Sequence, residues 1–301
     1  MNTTNKALLN KFLESKQDLQ PATKRNYMNT YERLINILLP IKSKKSLLTI
    51  TQKAVLDKID ALMIDDGTTP ATYNSKIDYL KLYKYLLEYN KKPITKIEKT
   101  INQYIKINND NKAKTNENLI NESQMTFDKL NDLLDILTGQ NYLLYFILLN
   151  FNTRNQDLII EYTNKKKIIN EVLKDKINKN IIFKSKNEYI YIRNDYKTKS
   201  QYGVKKHVIN DPKFIEIIED FPINEPLFKN RTGQGYKTNQ ISNLIKAVGN
   251  KYIKNSNLSQ QLIYKIINNH YENNNDHKIL LEIAANRGHS LDVQKSSYSS
   301  I

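Results

Sequence analysis

Apolar side chains recur three or four positions apart along residues 5–106, and this spacing constrains the fold more than any other feature of the chain. An α-helix turns about every 3.6 residues, so side chains at this spacing share one face and need a core to cover it. We expect helices over residues 5–13, 21–38, 51–63 and 68–87, then a short one to residue 107. Thr69 is expected to cap the fourth helix, with Pro70 in its first turn.

The rest of the chain combines helical and strand patterns. Residues 109–122 are polar without apolar periodicity, which predicts a linker between a helical domain at 1–108 and a second domain at 123–301. Helices are expected at 123–137, 142–151, 212–219, 239–253, 258–271 and 276–286, and strands at 181–184, 189–193 and 204–209. The predicted fold class is mainly α with a small antiparallel β-sheet.

The charge balance favours a polyanionic partner. The 301 residues include 47 Lys and Arg against 31 Asp and Glu, a formal net charge of +16. Nucleic acid is the first candidate partner and an anionic membrane surface the second. The alternative is a lysine-rich surface that is merely solvated.

Several classes of protein are disfavoured by composition. The chain has no cysteine, which excludes disulfides and Cys-ligated zinc, and its four histidines lack the spacing of a zinc site. No apolar run approaches the roughly 18–20 residues that span a bilayer, and the N-terminus lacks an apolar signal core. We expect an intracellular protein without a membrane span, a metal or another cofactor.

Two similar helix starts in the first half are candidates for phosphate contact. The sequence reads P-A-T-K-R-N-Y from Pro21 and P-A-T-Y-N-S-K from Pro70. Polar and basic side chains at helix N-termini are well placed to touch DNA phosphates. The candidate residues are Thr23, Lys24, Arg25, Thr69 and Lys76. Ordinary capping beside a solvated face is the alternative for each of them.

Arg154 is the first candidate for chemistry. It follows an almost continuous apolar run, so a buried helix would deliver its guanidinium to the end of the helix. Asp157 comes three residues later, where it can hold the arginine in place. A fixed planar guanidinium binds phosphate bidentately, whereas the alternative is a purely structural Arg154–Asp157 ion pair.

Lys197 and Lys199 lie at the turn of the expected hairpin between the last two strands. A lysine on such a turn can reach into a groove and protonate a leaving oxygen. The alternative is a solvated basic turn.

The C-terminal segment combines a helix stop, a histidine and a tyrosine. Gly288 can take a positive φ and end a helix, His289 follows it, and Tyr298 comes nine residues after His289 in a polar, Ser-rich run. This order suits a covalent step with a mobile tyrosine as the nucleophile. A frayed terminus with a surface tyrosine is the alternative.

Taken together, these motifs resemble those of the tyrosine recombinase (phage integrase) family over nearly the whole chain. The shared order is a helical N-terminal domain, a linker, R-x-x-(D/E), a hairpin lysine, G-H-S and a tyrosine nine residues on. The resemblance implies a helical core-binding (SAM-like) domain and an α+β catalytic domain that clamp duplex DNA, in a DNA-templated homodimer or homotetramer. It also implies that Arg154 and His289 hold the scissile phosphate, Lys197 protonates the 5′ oxygen and Tyr298 forms a 3′-phosphotyrosine during site-specific recombination.

The chain departs from the family pattern where H-x-x-R is expected. The best register places Gln261 at the histidine position and Tyr264, which is uncharged, at the arginine position. Lys265 and Arg287 are the nearby cations that could compensate. The alternative functions are therefore a slow enzyme, a DNA-binding relative without catalysis, a type IB topoisomerase-like enzyme and a helical interaction protein.

Overall fold

The computed structural model describes residues 3–16, 19, 21–40, 43–63, 70–186, 188–253 and 256–298. Within it the chain forms two compact units, Met1–Asn111 and Lys112–Ile301. The prediction of a mainly helical chain with a small sheet is confirmed.

The first unit packs amphipathic helices around one apolar cluster. Their bounds are α1 Thr3–Glu14, α2 Pro21–Leu38, α3 Gln52–Asp60, α4 Tyr73–Tyr89 and α5 Thr95–Ser123, with a 3₁₀ turn at Leu47–Thr49. The predicted stripes line the core, including Tyr31, Leu34, Leu80 and Tyr83, which are all almost fully buried. Burial of such side chains is the main favourable term for a unit of this size.

Two expectations in this half need correction. The fourth helix begins at Tyr73, and its cap is Thr72, whose hydroxyl accepts a hydrogen bond from the Ser75 amide at 3.3 Å. Thr69 lies outside the described residues. The segment 109–122 is not an irregular linker but part of α5, within which the two units divide. No glycine or proline interrupts residues 95–123, and Lys, Glu and Asn each weaken a helix by less than about 0.7 kcal/mol.

The second unit surrounds a mixed five-stranded sheet with helices. The helices are α6 Phe127–Ile136, α7 Gly139–Phe151, α8 Lys166–Leu173, α9 Lys199–Tyr202, α10 Pro212–Glu219, α11 Thr238–Tyr252, α12 Gln260–Asn273, α13 His277–Arg287 and α14 Leu291–Tyr298. The strands are β1 Ile160–Tyr162, β2 Asn180–Ser185, β3 Glu188–Arg193, β4 Lys205–Ile209 and β5 Glu225–Pro226. Helix α7 is apolar on all sides and is buried from Tyr142 to Leu148, so it forms the centre of this core.

The sheet is mixed rather than purely antiparallel as expected. Its order is β4-β3-β2-β1-β5, and β1 pairs with β2 in parallel. Strands β1 and β5 have three and two residues, too short for an alternating pattern to predict them. Along β3, Tyr189 and Tyr191 face the main core, and Arg193 continues their side of the strand. No helix among the described residues is both long and apolar enough to cross a membrane.

Candidate active site

Arg154 lies just beyond the C-terminus of α7. The helix ends at Asn152 in a left-handed conformation, φ 48°, which turns the chain sharply before the arginine. The Arg154 amide donates to Oδ2 of the fully buried Asp157 at 3.0 Å, and the Gln260 amide group donates to the Thr153 carbonyl at 3.0 Å. The backbone of this loop is therefore fixed from both sides, and the guanidinium of Arg154 is half-buried.

Asp157 does not form the expected side-chain ion pair with Arg154. Its carboxylate forms a salt bridge with Arg193, at the end of β3, and both side chains are fully buried. Arg193 also donates from Nη1 to the Asn286 carbonyl at 2.8 Å. Arg193 was not among the predicted site residues, although an arginine on the core side of a strand must have a partner in the core.

Lys205, the first residue of β4, supports the same end of α13. Its ammonium group donates to the carbonyls of Ala285 and Asn286, at 2.9 Å for Asn286, and lies over the rings of Tyr196 and Tyr202. Burial, together with the charge of Arg193, lowers the pKa of Lys205 to about 8. Cations at a helix C-terminus satisfy the last carbonyls and the helix dipole. Lys205 was not among the predicted site residues either.

The predicted helix stop at Gly288 is a Schellman turn. Gly288 has φ +67°, its amide donates to the Ala285 carbonyl at 3.0 Å, and the His289 amide donates to the Ala284 carbonyl at 3.1 Å. A Cβ at Gly288 would collide with Oγ1 of Thr198. The loop between β3 and β4 therefore packs directly on the turn that holds His289.

The two lysines of that loop differ in their surroundings. Lys197 is exposed next to Thr198, whereas Lys199 forms a salt bridge with Asp175 and a hydrogen bond with Asn178. Lys197 is thus the exposed lysine of this pair, and it directly precedes the threonine that contacts Gly288.

Tyr298 is the last residue of α14 rather than part of the mobile tail that its Ser-rich surroundings suggest. One turn earlier, the fully buried Gln294 donates to Oδ1 of Asn268 on α12 at 2.6 Å. Residues four apart share a helix face, so this bond holds Tyr298 against α12. No local pattern points to Gln294, because its role depends on a distant asparagine.

Tyr298 lies among aromatic rings and a guanidinium. Its ring meets Tyr264 edge-on at 4.4 Å between centroids and stacks on His289 at 5.8 Å with a 15° interplanar angle. Nη2 of Arg287 is 3.5 Å from the Tyr298 hydroxyl. Tyr264 is buried, and the Arg287 guanidinium lies 3.8 Å from its ring centroid.

Gln261 and Lys265 lie elsewhere. Both line a surface pocket with Glu122 and Ser123, and Gln261 is exposed. A spacing of four keeps Gln261 and Lys265 together at this pocket, whereas Tyr264 is buried in the core. The glutamine that reaches the Arg154 loop is Gln260, so the expected placement of Gln261 at the site is wrong by one residue.

The site has more buried positive than negative charge. Nη1 of Arg154, Nε of Arg287 and Nε2 of His289 are buried without a hydrogen-bond partner among the described residues. Among the described residues, Asp157 is the one buried acid, and Arg193 already pairs with it. Burial, followed by the charge of Arg287, lowers the pKa of Arg154, and the same two causes lower that of His289 to about 4. An anion would satisfy the two guanidinium donors, those of Arg154 and Arg287.

The candidates in the first unit have different surroundings. Thr23, Lys24 and Arg25 form the first turn of α2, and Arg25 is exposed. Lys76 is only 6% exposed and donates to the Asp60 carbonyl at 2.6 Å, so burial prevents the phosphate contact expected of it.

No protein-family model matches the chain, and no curated protein matches it. Among solved structures, the crystal structure of XerA recombinase aligns with 97% of this chain and 93% of its own, at 13% identity and a TM-score of 0.34. A likeness this low assigns neither a fold nor a function.

Proposed function

We propose that the chain binds double-stranded DNA and that its second unit breaks and rejoins a DNA strand through Tyr298. The observation that carries this proposal is the Tyr298 hydroxyl beside Arg287, in a site where Arg154 and Arg287 have buried donors without a described partner. A phosphodiester would fill these donors, and the net charge of +16 draws the chain to DNA.

The transfer step balances with the residues of this site and the DNA. The Tyr298 oxygen attacks phosphorus, the bond from phosphorus to the 5′ oxygen breaks, and the 3′ side of the strand stays on the tyrosine. The attack is reversed when a 5′ hydroxyl displaces the tyrosine, and the energy of the phosphodiester is kept in the phosphotyrosine link.

His289 takes the phenolic proton in this proposal. Its Nδ1 is 3.4 Å from the Ser290 carbonyl, which can only accept, so the ring proton belongs on Nδ1 and Nε2 has a free lone pair. With a pKa lowered to about 4, the imidazole is neutral at pH 7 and able to accept a proton. The imidazolium then formed can donate to a phosphate oxygen. Lys197, exposed on the loop packed against Gly288, supplies a proton to the leaving 5′ oxygen.

A covalent-trapping experiment tests this function. The protein is incubated with a randomised pool of nicked duplexes, from which the short fragment beyond the cleavage site diffuses away and leaves the adduct trapped. We expect a denaturant-stable protein–DNA adduct that Tyr298→Phe abolishes while duplex binding is kept. Tyr252→Phe, which alters an exposed tyrosine at the end of α11, serves as the control and should react as the wild type does.

The outcome distinguishes the candidate functions. Duplex binding without an adduct from the pool would leave a DNA-binding protein in which the uncharged Tyr264 marks a lost activity. Binding that does not weaken with added salt would remove DNA as the partner, because phosphate contacts release counterions.

The same assay can test how many copies of the chain form the active assembly. Exchange between two duplexes needs at least two copies of the chain on DNA, as a dimer or tetramer, whereas topoisomerase-like relaxation needs one. We expect recombinant products from paired duplexes. Relaxed plasmid without recombinants would favour the topoisomerase-like reaction.

A further inference from the structure

We infer that Arg287 is a catalytic residue that supplies a second guanidinium, beside that of Arg154, to the phosphate under attack, and that Tyr264 is the platform that aims it. This inference rests on the proposed function and deepens it at the same site.

The burial of Arg287 lacks a structural explanation. The residue is 3% exposed, yet no salt bridge joins it to any described acid, and its Nε is buried without an acceptor in the part of the chain that the structure describes. A buried guanidinium is normally paired, as Arg193 is with Asp157. The two buried arginines of this unit therefore differ. Arg193 is paired, as expected of a structural residue, whereas Arg287 pairs with no described acid, as expected of a residue that binds an anion.

Aromatic rings hold Arg287 in place of a carboxylate. Its guanidinium lies 3.8 Å from the Tyr264 ring centroid and 5.3 Å from that of Tyr298. A π face orients a cation without neutralising it, so the donors remain available to a ligand. A carboxylate in the position of Tyr264 would occupy those donors.

The Arg287 guanidinium is directed at the Tyr298 oxygen, the atom that would attack phosphorus. Nη2 is 3.5 Å from the Tyr298 hydroxyl, and a nucleophile poised for attack lies about 3–3.5 Å from phosphorus. Non-bridging oxygens on that phosphorus would therefore fall within reach of the same guanidinium. The Schellman turn at Gly288 fixes the backbone, because Arg287 is the last residue of α13 and the Asn286 carbonyl before it accepts from Arg193 and Lys205.

The arrangement also gives Tyr264 a function. Tyr264 stands where the family pattern has an arginine, so the sequence indicates that one cation is missing. A cation at this position, however, would repel Arg287 at the observed separation. We therefore expect Tyr264→Arg to slow cleavage and Tyr264→Phe, which keeps the ring, to preserve it. Phe also suits this environment because no described residue forms a hydrogen bond with the buried Tyr264 hydroxyl.

The test compares adduct formation by Arg287→Ala, Arg287→Lys and a control, Arg231→Ala, which removes an exposed arginine from a turn. We expect Arg287→Ala to reduce the rate of adduct formation about 10²–10³-fold with duplex affinity nearly unchanged, and added guanidinium to restore part of the rate. Arg287→Lys should retain an intermediate rate. Wild-type rates for Arg287→Ala would overturn the inference and leave the proposed function standing, whereas no adduct from the wild type defeats the proposed function.

A second measurement uses the wild type alone, so it does not depend on a variant that folds. Titration with inorganic phosphate should shift the ¹⁵N–H resonance of Arg287 Nε, which lacks an acceptor, more than that of Arg231. An Arg287 resonance that is unmoved by phosphate would contradict a role in holding the phosphate, whatever the variants do.

Discussion

Replacing Gly288 by alanine should destabilise the second unit through two separable effects. The first is backbone strain, because φ +67° is unfavourable for a residue with a Cβ. The second is the collision of that Cβ with Oγ1 of Thr198, a contact made by the loop that carries Lys197. Variants of Gly288 and Thr198 therefore test whether the β3–β4 loop packs on the turn that holds His289.

The expected magnitudes follow from these contacts. Left-handed strain costs about 1–2 kcal/mol. Overpacking in a well-packed site costs roughly a further 1–3 kcal/mol. Thr198→Ala removes Oγ1, and what then remains near the new Cβ is the Thr198 Cβ at 3.2 Å and Cδ2 of Tyr202 at 3.3 Å, which small shifts can relieve. Gly288→Ala should therefore cost about 2–5 kcal/mol in the wild type and about 1–2 kcal/mol in the Thr198→Ala background.

Urea unfolding of the wild type, both single variants and the double variant provides the assay. Since the chain has two compact units, the transition of each is followed separately, and that of the first unit should be the same in all four proteins. The double-mutant cycle isolates the coupling between the two positions. Equal destabilisation by Gly288→Ala in both backgrounds would refute the packing of the loop on this turn.

Two further predictions concern pH and DNA binding. The folded pKa of His289, about 4, lies below its ordinary 6.5, so between these values the unfolded chain binds a proton that the folded chain does not, and stability falls as the pH falls through this window. His289→Gln should reduce the difference between the urea midpoints at pH 7 and pH 5, and an unchanged difference would contradict the burial of the ring. In the first unit, Lys76→Met should lower stability by about 1–3 kcal/mol without changing the salt dependence of DNA binding, because it breaks the bond to the Asp60 carbonyl. Arg25→Ala should instead leave stability unchanged and reduce the slope of log affinity against log salt by about 0.9, and the reverse pattern would exchange the roles of these two residues.

Helices α1 to α4 could be predicted because their apolar spacing is a local property of the sequence, whereas α8, α9 and α14 were not predicted. The stripes at Tyr31 to Leu38 and Tyr73 to Leu87 became the core of the first unit, with errors confined to ends and caps. The prediction of a linker at 109–122 was wrong, because the loss of an apolar stripe indicates the absence of packing, not the absence of a helix. The parallel pairing of β1 with β2 depends on a partner 20 residues away along the chain, between Ile160 and Asn180, and three residues carry no pattern of their own.

The residues of the candidate site likewise divide into those that local sequence predicts and those that depend on distant partners. Arg154, His289 and Tyr298 could be proposed from local context, since a helix end, a glycine stop and a tyrosine at fixed spacing are visible in the sequence. The residues that position them could not, because Arg193 and Gln294 act through partners 36 and 26 positions away. Alternation along β3 was the one available signal for Arg193, and it required the core side of the strand to be known.

The C-terminal end of α13 shows why the charge at this site is difficult to predict from sequence. Arg193 and Lys205 donate to its final carbonyls, and Arg287 extends from the same turn toward Tyr264 and Tyr298. Cations with different roles thus converge on one turn: two are bound to carbonyls, and the third has a donor for which no described residue supplies an acceptor. In sequence all three are only basic residues, and nothing local separates a lysine or arginine that stabilises a helix end from one available to a ligand. The distinction lies in the acceptors around each cation, and these are set by the packing of β3 and β4 on α13.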